Sequence, residues 1–370
     1  MKIAVIGVGG TGSAALRFLA QAGHEAIGFE QFALGHANGS SHGESRIIRY
    51  TYPDALYTQL MADAYPLWDA LEQEADEELF VRCGGLYFGA EDSPNIVSAE
   101  QALLENALPY EKWDAAQCRE RVPGLVLRDN EVALFQKESG FLRATSCLLA
   151  NARLARSYGA TIYENTPVRD IISQGNQVTV TMDKGEWAFD RVIITAGVWM
   201  GQLLAPLHLP LQVTRQQVLY LRAQSNAEYY EPQNFPVWID ADTNYYGFPC
   251  DGRVEGVKLA SHDLGETVNP DQTNKTVDEN YLAEANDYAA RRLPDLSAEV
   301  THSQVCLYTN TPNEDFIVDH LPDAPNVWLV SGCSGHGFKF TVLLGHIIAK
   351  LVTGEPYARD ISRFHLENFV

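Results

Sequence analysis

No apolar run in this chain approaches the roughly 18 residues that a membrane-spanning helix requires. The apolar start is spent on a short strand and interrupted at Gly7, which makes it a poor export signal, so a cytoplasmic protein is expected. Positive charge is scarce as well: 27 lysines and arginines stand against 48 aspartates and glutamates, a formal net charge of −21. Binding a phosphate backbone needs a basic surface, so this balance argues against nucleic acid as a partner. The acidic run Glu72, Glu74, Asp76, Glu77, Glu78 reads as a solvated face that aids solubility. The six cysteines form no Cys-x-x-Cys pair and no zinc-type spacing, so neither a metal centre nor a disulfide framework is expected. Repeats, low-complexity tracts and glycine- or proline-rich linkers are also missing. A chain of 370 residues has room for two domains around a substantial core, and without a linker those domains are expected to be interleaved.

The opening thirty residues carry the clearest signal. Lys2 to Ile6 reads as a buried strand, and Gly7-Val8-Gly9-Gly10-Thr11-Gly12 then opens a helix. Gly7 permits the tight turn, Gly9 lets the backbone approach a pyrophosphate, and Gly12 lets the helix pack on the sheet. The helix dipole and its unpaired N–H groups hold the phosphates. Leu16, Phe18, Leu19 and Ala22 give the helix its apolar content, and Gly23 is placed to stop it. A second strand, Ala26 to Phe29, ends at Glu30, whose carboxylate suits a ribose hydroxyl and repels a 2′-phosphate. Strand, glycine turn, helix and acid in this order predict a dinucleotide site of the non-phosphorylated kind.

Farther on, a helix over Ser146 to Tyr158 leads through Gly159 to a short strand, Thr161 to Tyr163. A hairpin from Ile171 to Met182 turns at Gln174-Gly175-Asn176, and the strand Arg191 to Thr195 ends at Ala196-Gly197. Near the C-terminus the opening pattern returns: strand Val327 to Val330, glycine-rich loop Ser331 to Gly337, then a helix. Phe340, Leu343, Leu344, Ile347, Ile348 and Leu351 form its apolar face, and Gly354 and Pro356 end it. Ligands of open α/β sheets lie beyond the carboxyl ends of strands, so both chain ends should converge on one cofactor. The segments 80–140 and 213–300 have more strand than helix character. Their aromatics, Tyr229-Tyr230, Trp238 to Asp240 and Tyr245 to Pro249, suit either a sheet roofing a substrate cavity or an ordinary packed sheet.

Three polar clusters could do chemistry. Ser40 to Arg49 places His42, Arg46 and Arg49 just after the second strand, and arginine offers a planar fork for a carboxylate or the polar edge of a flavin. Surface salt bridges are the plain alternative for both arginines. The same stretch holds Gly39-x-Ser41-x-Gly43, which matches a hydrolase nucleophile elbow but lacks the strand that must precede one. In the second cluster, Lys258 and His262 share one face of a strand. Lys258 could stabilise negative charge developing on reduced oxygen, with His262 as a polar or proton-handling partner, unless that face is merely exposed. The third is Cys306-Leu-Tyr308 with Ser334 to Lys339. A lysine at a helix start is disfavoured by the dipole and points to a nearby anion, either a substrate carboxylate or a reduced flavin, while Cys306 alone reads as core.

Together, Ser41-His42-Gly43-x-x-Arg46-Ile-Ile-Arg49, Tyr246-Gly-Phe-Pro249, Lys258-x-x-x-His262, Cys306-x-Tyr308 and Ser334-Gly-His-Gly-Phe-Lys339 resemble the monomeric sarcosine oxidase family of flavoproteins. That family includes N-methyltryptophan and pipecolate oxidases, and the likeness runs almost end to end. It implies an α/β fold in which a Rossmann-like FAD domain of the glutathione-reductase type (1–80, 141–212, 301–370) is interleaved with a mixed-sheet substrate domain (81–140, 213–300). It also implies FAD joined through its 8α-methyl carbon to Cys306, with nearby cations favouring the attacking thiolate. Gly7, Gly9, Gly12, Glu30, Ser41, Arg46 and the run Gly335, His336, Gly337, Phe338, Lys339 would surround the cofactor. His42 and Arg46 would lie by the flavin, and Arg49 and Lys339 would hold the substrate carboxylate. Tyr246, His262 and Tyr308 would shape the amine pocket, and Lys258 would mark the site of oxygen activation. Glu44 and Ser45 stand where relatives often carry aspartate and threonine, swaps that keep the chemical type.

The implied reaction is oxidation of a secondary amino acid, foremost sarcosine or another N-methyl amino acid. A hydride equivalent leaves the carbon beside the amine for flavin N5, water hydrolyses the imine, and oxygen is reduced to hydrogen peroxide. Formaldehyde and the demethylated amino acid are the other products. A monomer with a small amino acid and oxygen as its partners follows. A cyclic, bulky or glycated amine is the alternative substrate, and a nicotinamide-dependent dehydrogenase or a serine hydrolase are more distant alternatives.

Overall fold

A computed structural model describes residues 1–369. β1 (Lys2–Ile6) lies inside a sheet whose order is β19 (Ile317–Leu321), β20 (Ala324–Ser331), β13 (Arg191–Ile194), β1, β2 (Glu25–Phe29), β9 (Thr161–Tyr163). All neighbours pair parallel except β19 with β20. Ile3 and Val5 face a core built with α1 (Gly10–Gln21), α5 (Ala144–Ser157) and α8 (Thr341–Val352). Ala4 and Ile6 face the opposite core, made with β10 (Val168–Gln174), β11 (Gln177–Met182) and β12 (Gly185–Phe189). Burial on both faces is why β1 reads as an unbroken apolar run and not as an alternating one. The expected hairpin is thus part of a three-stranded sheet, β12 being the strand the sequence reading omitted.

The second large sheet has eight strands in the order β18 (Leu296–Asn310), β14 (Gln212–Ala223), β17 (Val257–Ser261), β16 (Tyr245–Phe248), β15 (Val237–Asp240), β5 (Gly85–Ala90), β7 (Glu131–Gln136), β6 (Glu111–Asp114). It is antiparallel apart from the β15–β5 pair. One face is covered by α4 (Ala115–Arg121) and α7 (Glu279–Arg292), and α3 (Pro94–Glu105) packs on Tyr87, Val132 and Leu134 of the other. Trp238 and Tyr230 are fully buried on the α4 and α7 side, with Trp238 stacked on Tyr288 at 5.9 Å, so these aromatics are ordinary core. Their neighbour Tyr246 points the other way by strand alternation and joins the cluster around Cys306. β18 runs unbroken through position 301, so the domain boundary expected there falls in mid-strand.

A small sheet of β3 (Arg46–Ile48), β8 (Gly140–Leu142) and β4 (Phe80–Val81) joins the two larger ones beside α2 (Ala55–Ala75), while α6 (Met200–Leu203) is a single turn. The acidic run at the end of α2 is structural and not merely solvated. Glu72 accepts from the backbone N–H of Leu79 and Phe80 at 2.9 and 2.8 Å, and Glu74 pairs at 2.8 Å with Arg17, whose side chain is 2% exposed. Glu74→Gln strips a buried guanidinium of its charged partner, and urea unfolding is expected to show a loss of about 2 kcal/mol, whereas a change below ~0.5 kcal/mol contradicts that role. Among the described residues no helix is long and apolar enough to cross a membrane.

Candidate active site

The carboxyl end of β1 builds the first wall of the site. Gly7 sits at φ +90°, where a Cβ would meet the Thr195 carbonyl oxygen at 2.5 Å, and a Cβ on Gly12 would lie 2.0 Å from the oxygen of Gly7. Only glycine fits either position. α1 begins without a side-chain cap or an acid in its first turn, so most of its free N–H groups remain open to an anion. One of them, Gly10 N–H, donates to Ser41 Oγ at 3.0 Å and latches the loop after β2 onto the turn. Glu30 closes the other side. It is 5% exposed, accepts from Val8 N–H at 2.9 Å and Phe32 N–H at 3.1 Å, and lies 3.3 Å from His36 Nε2.

Gly7, Gly9, Glu30, Ser41, Arg46, Cys306, Tyr308, Gly335, Gly337 and Phe338 all line one cavity of about 460 Å³. Both chain ends and the eight-stranded sheet therefore meet there, and Cys306 shares the cavity with Arg46. The elbow reading fails at this point. No strand lies between β2 and β3, and the Ser41 hydroxyl receives Gly10 N–H instead of facing a base.

Arg46 lines the cavity, whereas Arg49, Lys258 and Lys339 are not among its lining residues, and among the described residues none of the four forms a carboxylate pair. Arg46 donates to the carbonyls of Ser45, Ser40 and His42 at 2.9, 3.0 and 2.8 Å. Arg49 has its Nε and Nη1 buried without a partner, with its guanidinium 4.4 Å from the Tyr52 ring and 5.1 Å from that of Tyr87. Lys339 is 6% exposed and donates to Tyr52 Oη at 2.8 Å and the His336 carbonyl at 2.7 Å. Lys258 donates to the Ser45 carbonyl at 2.8 Å and its hydroxyl at 3.1 Å, 4.2 Å from the Phe248 ring. Burial, then Arg46, pushes the Lys258 ammonium well below its ordinary pKa, and burial with Arg49 does the same to Lys339. Surface salt bridges do not account for these arginines. Buried, uncompensated cations in a protein of net charge −21 describe a place built for anions.

The histidines are neutral. Burial, Lys339 and Arg49 bring His262 down to about 4, and burial with Arg46 brings His42 down to about 3. The His42 Nε2 is buried without a partner. Gly335, at φ +74°, lets the backbone approach where a Cβ would meet the Tyr308 ring at 2.2 Å and His262 at 2.6 Å. Tyr308 Oη lies 3.4 Å from Tyr246 Oη. Burial pushes the Cys306 thiol up, against the pull of Arg46, Lys258 and Lys275, so the cations act in the expected sense but do not prevail.

Sequence reasoning missed Tyr52, which touches Arg49 and Lys339, and Trp68, whose Nε1 donates to the Lys339 carbonyl at 2.7 Å. Tyr52 lies three positions after Arg49 in the same polar stretch, the one signal available. The site fits FAD: a glycine cradle at a helix start, an acid at the end of β2, and Arg46 beside Cys306, all lining one cavity.

Residues 2–351 match the family described as FAD dependent oxidoreductase. The chain is 33% identical over 372 residues to the monomeric sarcosine oxidase of Bacillus sp. (strain NS-129), covering 98% of this chain and 96% of that protein. It is 32% identical over 375 residues to the N-methyl-L-tryptophan oxidase of Citrobacter koseri, covering 99% and 98%. Among solved structures, NikD, an unusual amino acid oxidase essential for nikkomycin biosynthesis, superposes with a TM-score of 0.85 at 23% identity, covering 98% of this chain and 96% of that one.

Proposed function

The chain belongs to the FAD dependent oxidoreductase family as an amine-oxidising enzyme, and on that premise we propose that it oxidises secondary amino acids, with sarcosine or another N-methyl amino acid as substrate. The observation that carries this reading is the pair Arg49 and Lys339. Arg49 offers two buried nitrogens, Nε and Nη1, with no acceptor, and Lys339 uses two of its three protons on neutral oxygens. An amino-acid carboxylate supplies the missing charge and acceptors.

Bound FAD would supply the two-electron acceptor, taking a hydride equivalent from the carbon beside the amine and passing the pair to oxygen, so that peroxide, formaldehyde and the demethylated amino acid are the final products. The turn from Gly7 to Gly12 and the start of α1 would hold its pyrophosphate, and Glu30 its ribose. Cys306 would be the attachment point, its sulfur lining the cavity on β18. Arg46 and His42 would lie by the flavin ring. An amine must be unprotonated to give up a hydride equivalent, and His262, kept neutral by burial and two neighbouring cations, would act as a polar partner for that neutral amine. Tyr246 and Tyr308, whose hydroxyls lie 3.4 Å apart, would shape the amine pocket. Lys258, when protonated, would place a cation on the Cys306 side, where oxygen would acquire negative charge.

In the same reading the six-stranded sheet and its helices form the cofactor domain and the eight-stranded sheet the substrate domain, with the last boundary placed after Asn310, the end of β18. Oxygen as the acceptor and a monomeric, cytoplasmic enzyme complete it.

Peroxide release across N-methyl, N-ethyl, cyclic and glycated amino acids tests the substrate class. Turnover is expected with N-methyl amino acids and not with the matching N-methyl amines, which lack a carboxylate. Equal turnover of both kinds would remove the role of Arg49 and Lys339.

A further inference from the structure

Behind the two cations that face the substrate lies a hydrogen-bonded layer with no role in the reading above. Arg49 and Lys339 rest on one ring, that of Tyr52, at 4.4 and 5.3 Å, and the Tyr52 hydroxyl accepts from Lys339 at 2.8 Å. The same hydroxyl lies 3.2 Å from His336 Nδ1, and His336 Nε2 lies 3.0 Å from the Glu314 carbonyl oxygen. A carbonyl only accepts, so Nε2 carries the proton and, in a neutral ring, Nδ1 is a bare acceptor. The Tyr52 proton must then point at His336, which leaves the hydroxyl oxygen turned toward the ammonium.

We propose that Tyr52 and His336 are positioning residues for the substrate carboxylate: Tyr52 holds Lys339 and Arg49 in fixed relation, and His336, locked in one tautomer by Glu314, sets the direction of the Tyr52 hydroxyl. This rests on the reading of Arg49 and Lys339 as the carboxylate site. Two like charges on one ring repel, and the arrangement persists because Lys339 is tied from behind. Lys339 is tied through its own carbonyl to Trp68 at 2.7 Å and through Nζ to the His336 carbonyl at 2.7 Å. Glu314 is a non-glycine residue in the left-handed region, φ +63°, which aims its carbonyl at His336. That strained conformation is held by Asp315, whose carboxylate receives Tyr57 Oη at 2.9 Å and Arg363 Nε at 2.7 Å. Burial and Lys339 keep His336 neutral, as the chain of donors requires. What remains free is one proton of Lys339 and the Nε and Nη1 of Arg49, which a carboxylate can take.

Anaerobic rapid mixing of the holoenzyme with sarcosine and with its uncharged analogue sarcosinamide separates binding from reduction. Tyr52→Phe keeps the ring and removes the hydroxyl. It is expected to raise the sarcosine Kd about tenfold, the effect of one lost charge-assisted hydrogen bond, while the limiting reduction rate and the sarcosinamide Kd stay near the parent values. His336→Leu is expected to weaken sarcosine in the same selective way, and His336→Asn, whose amide oxygen can replace Nδ1 as acceptor, to restore most of the loss. Equal weakening of both ligands, a fall in limiting rate with unchanged Kd, or no rescue by asparagine overturns the proposal. A parent enzyme that binds sarcosine no better than its amide overturns the carboxylate site itself, whereas a parent that discriminates beside a Tyr52→Phe variant that discriminates equally defeats only the positioning role.

Discussion

Lys258→Met is expected to slow oxygen consumption by roughly a hundredfold or more, the scale of losing one preorganised charge in a dry site, while anaerobic reduction by substrate changes little. The side chain is 3% exposed, so its charge is not diluted by solvent. Both of its observed acceptors belong to Ser45, and methionine keeps the apolar stem over Phe248 while deleting the charge. The pH dependence has a definite sign. Burial and Arg46 lower the ammonium's pKa from 10.5, so the cation is present at low pH and oxygen reactivity falls, as pH rises, at a value below the ordinary lysine range. Stopped-flow measurement of the two half-reactions checks this, and equal slowing of both would remove the oxygen role.

Cys306→Ala should convert a flavin retained on acid precipitation into one released to the supernatant, a change from nearly complete retention to nearly none. The parent pellet stays yellow and the variant pellet is colourless. Burial raises the thiol's pKa against the pull of Arg46 and Lys258, so the thiolate needed for attachment grows with pH. Attachment to added FAD is therefore expected to quicken as pH rises through the neutral range. A variant pellet as yellow as the parent's places the bond elsewhere or shows that there is none.

The dinucleotide unit is legible in sequence where local rules decide, whereas the Cys306 attachment rests on the family resemblance. The β1–α1–β2 unit was readable because Gly7 and Gly12 occupy positions where a Cβ would strike backbone, and because a strand buried on both faces leaves an uninterrupted apolar run. Lys339, set against the dipole ahead of α8, stood out by local electrostatics alone, and the fold buries it without a carboxylate partner. The misses share a cause in distance along the chain. Glu74 reads as solvent-facing until Arg17, 57 positions away, is brought against it. Tyr52 reads as an ordinary aromatic until the fold carries it to His336, 284 positions on. The polar residues of β18 before Cys306 hide a strand that only its long pairing with β14 holds extended. Trp238 and Tyr230 suited a roof or a core equally well by composition, and α7, packed over one face of their sheet, made them core.

Anaerobic titration of the purified holoenzyme with sarcosine, followed in the visible flavin band, tests the central claim most directly. Stoichiometric bleaching that returns on admitting air, with peroxide formed, is the predicted result. A protein that carries no flavin, or a bound flavin that no amino-acid amine can bleach, contradicts the account.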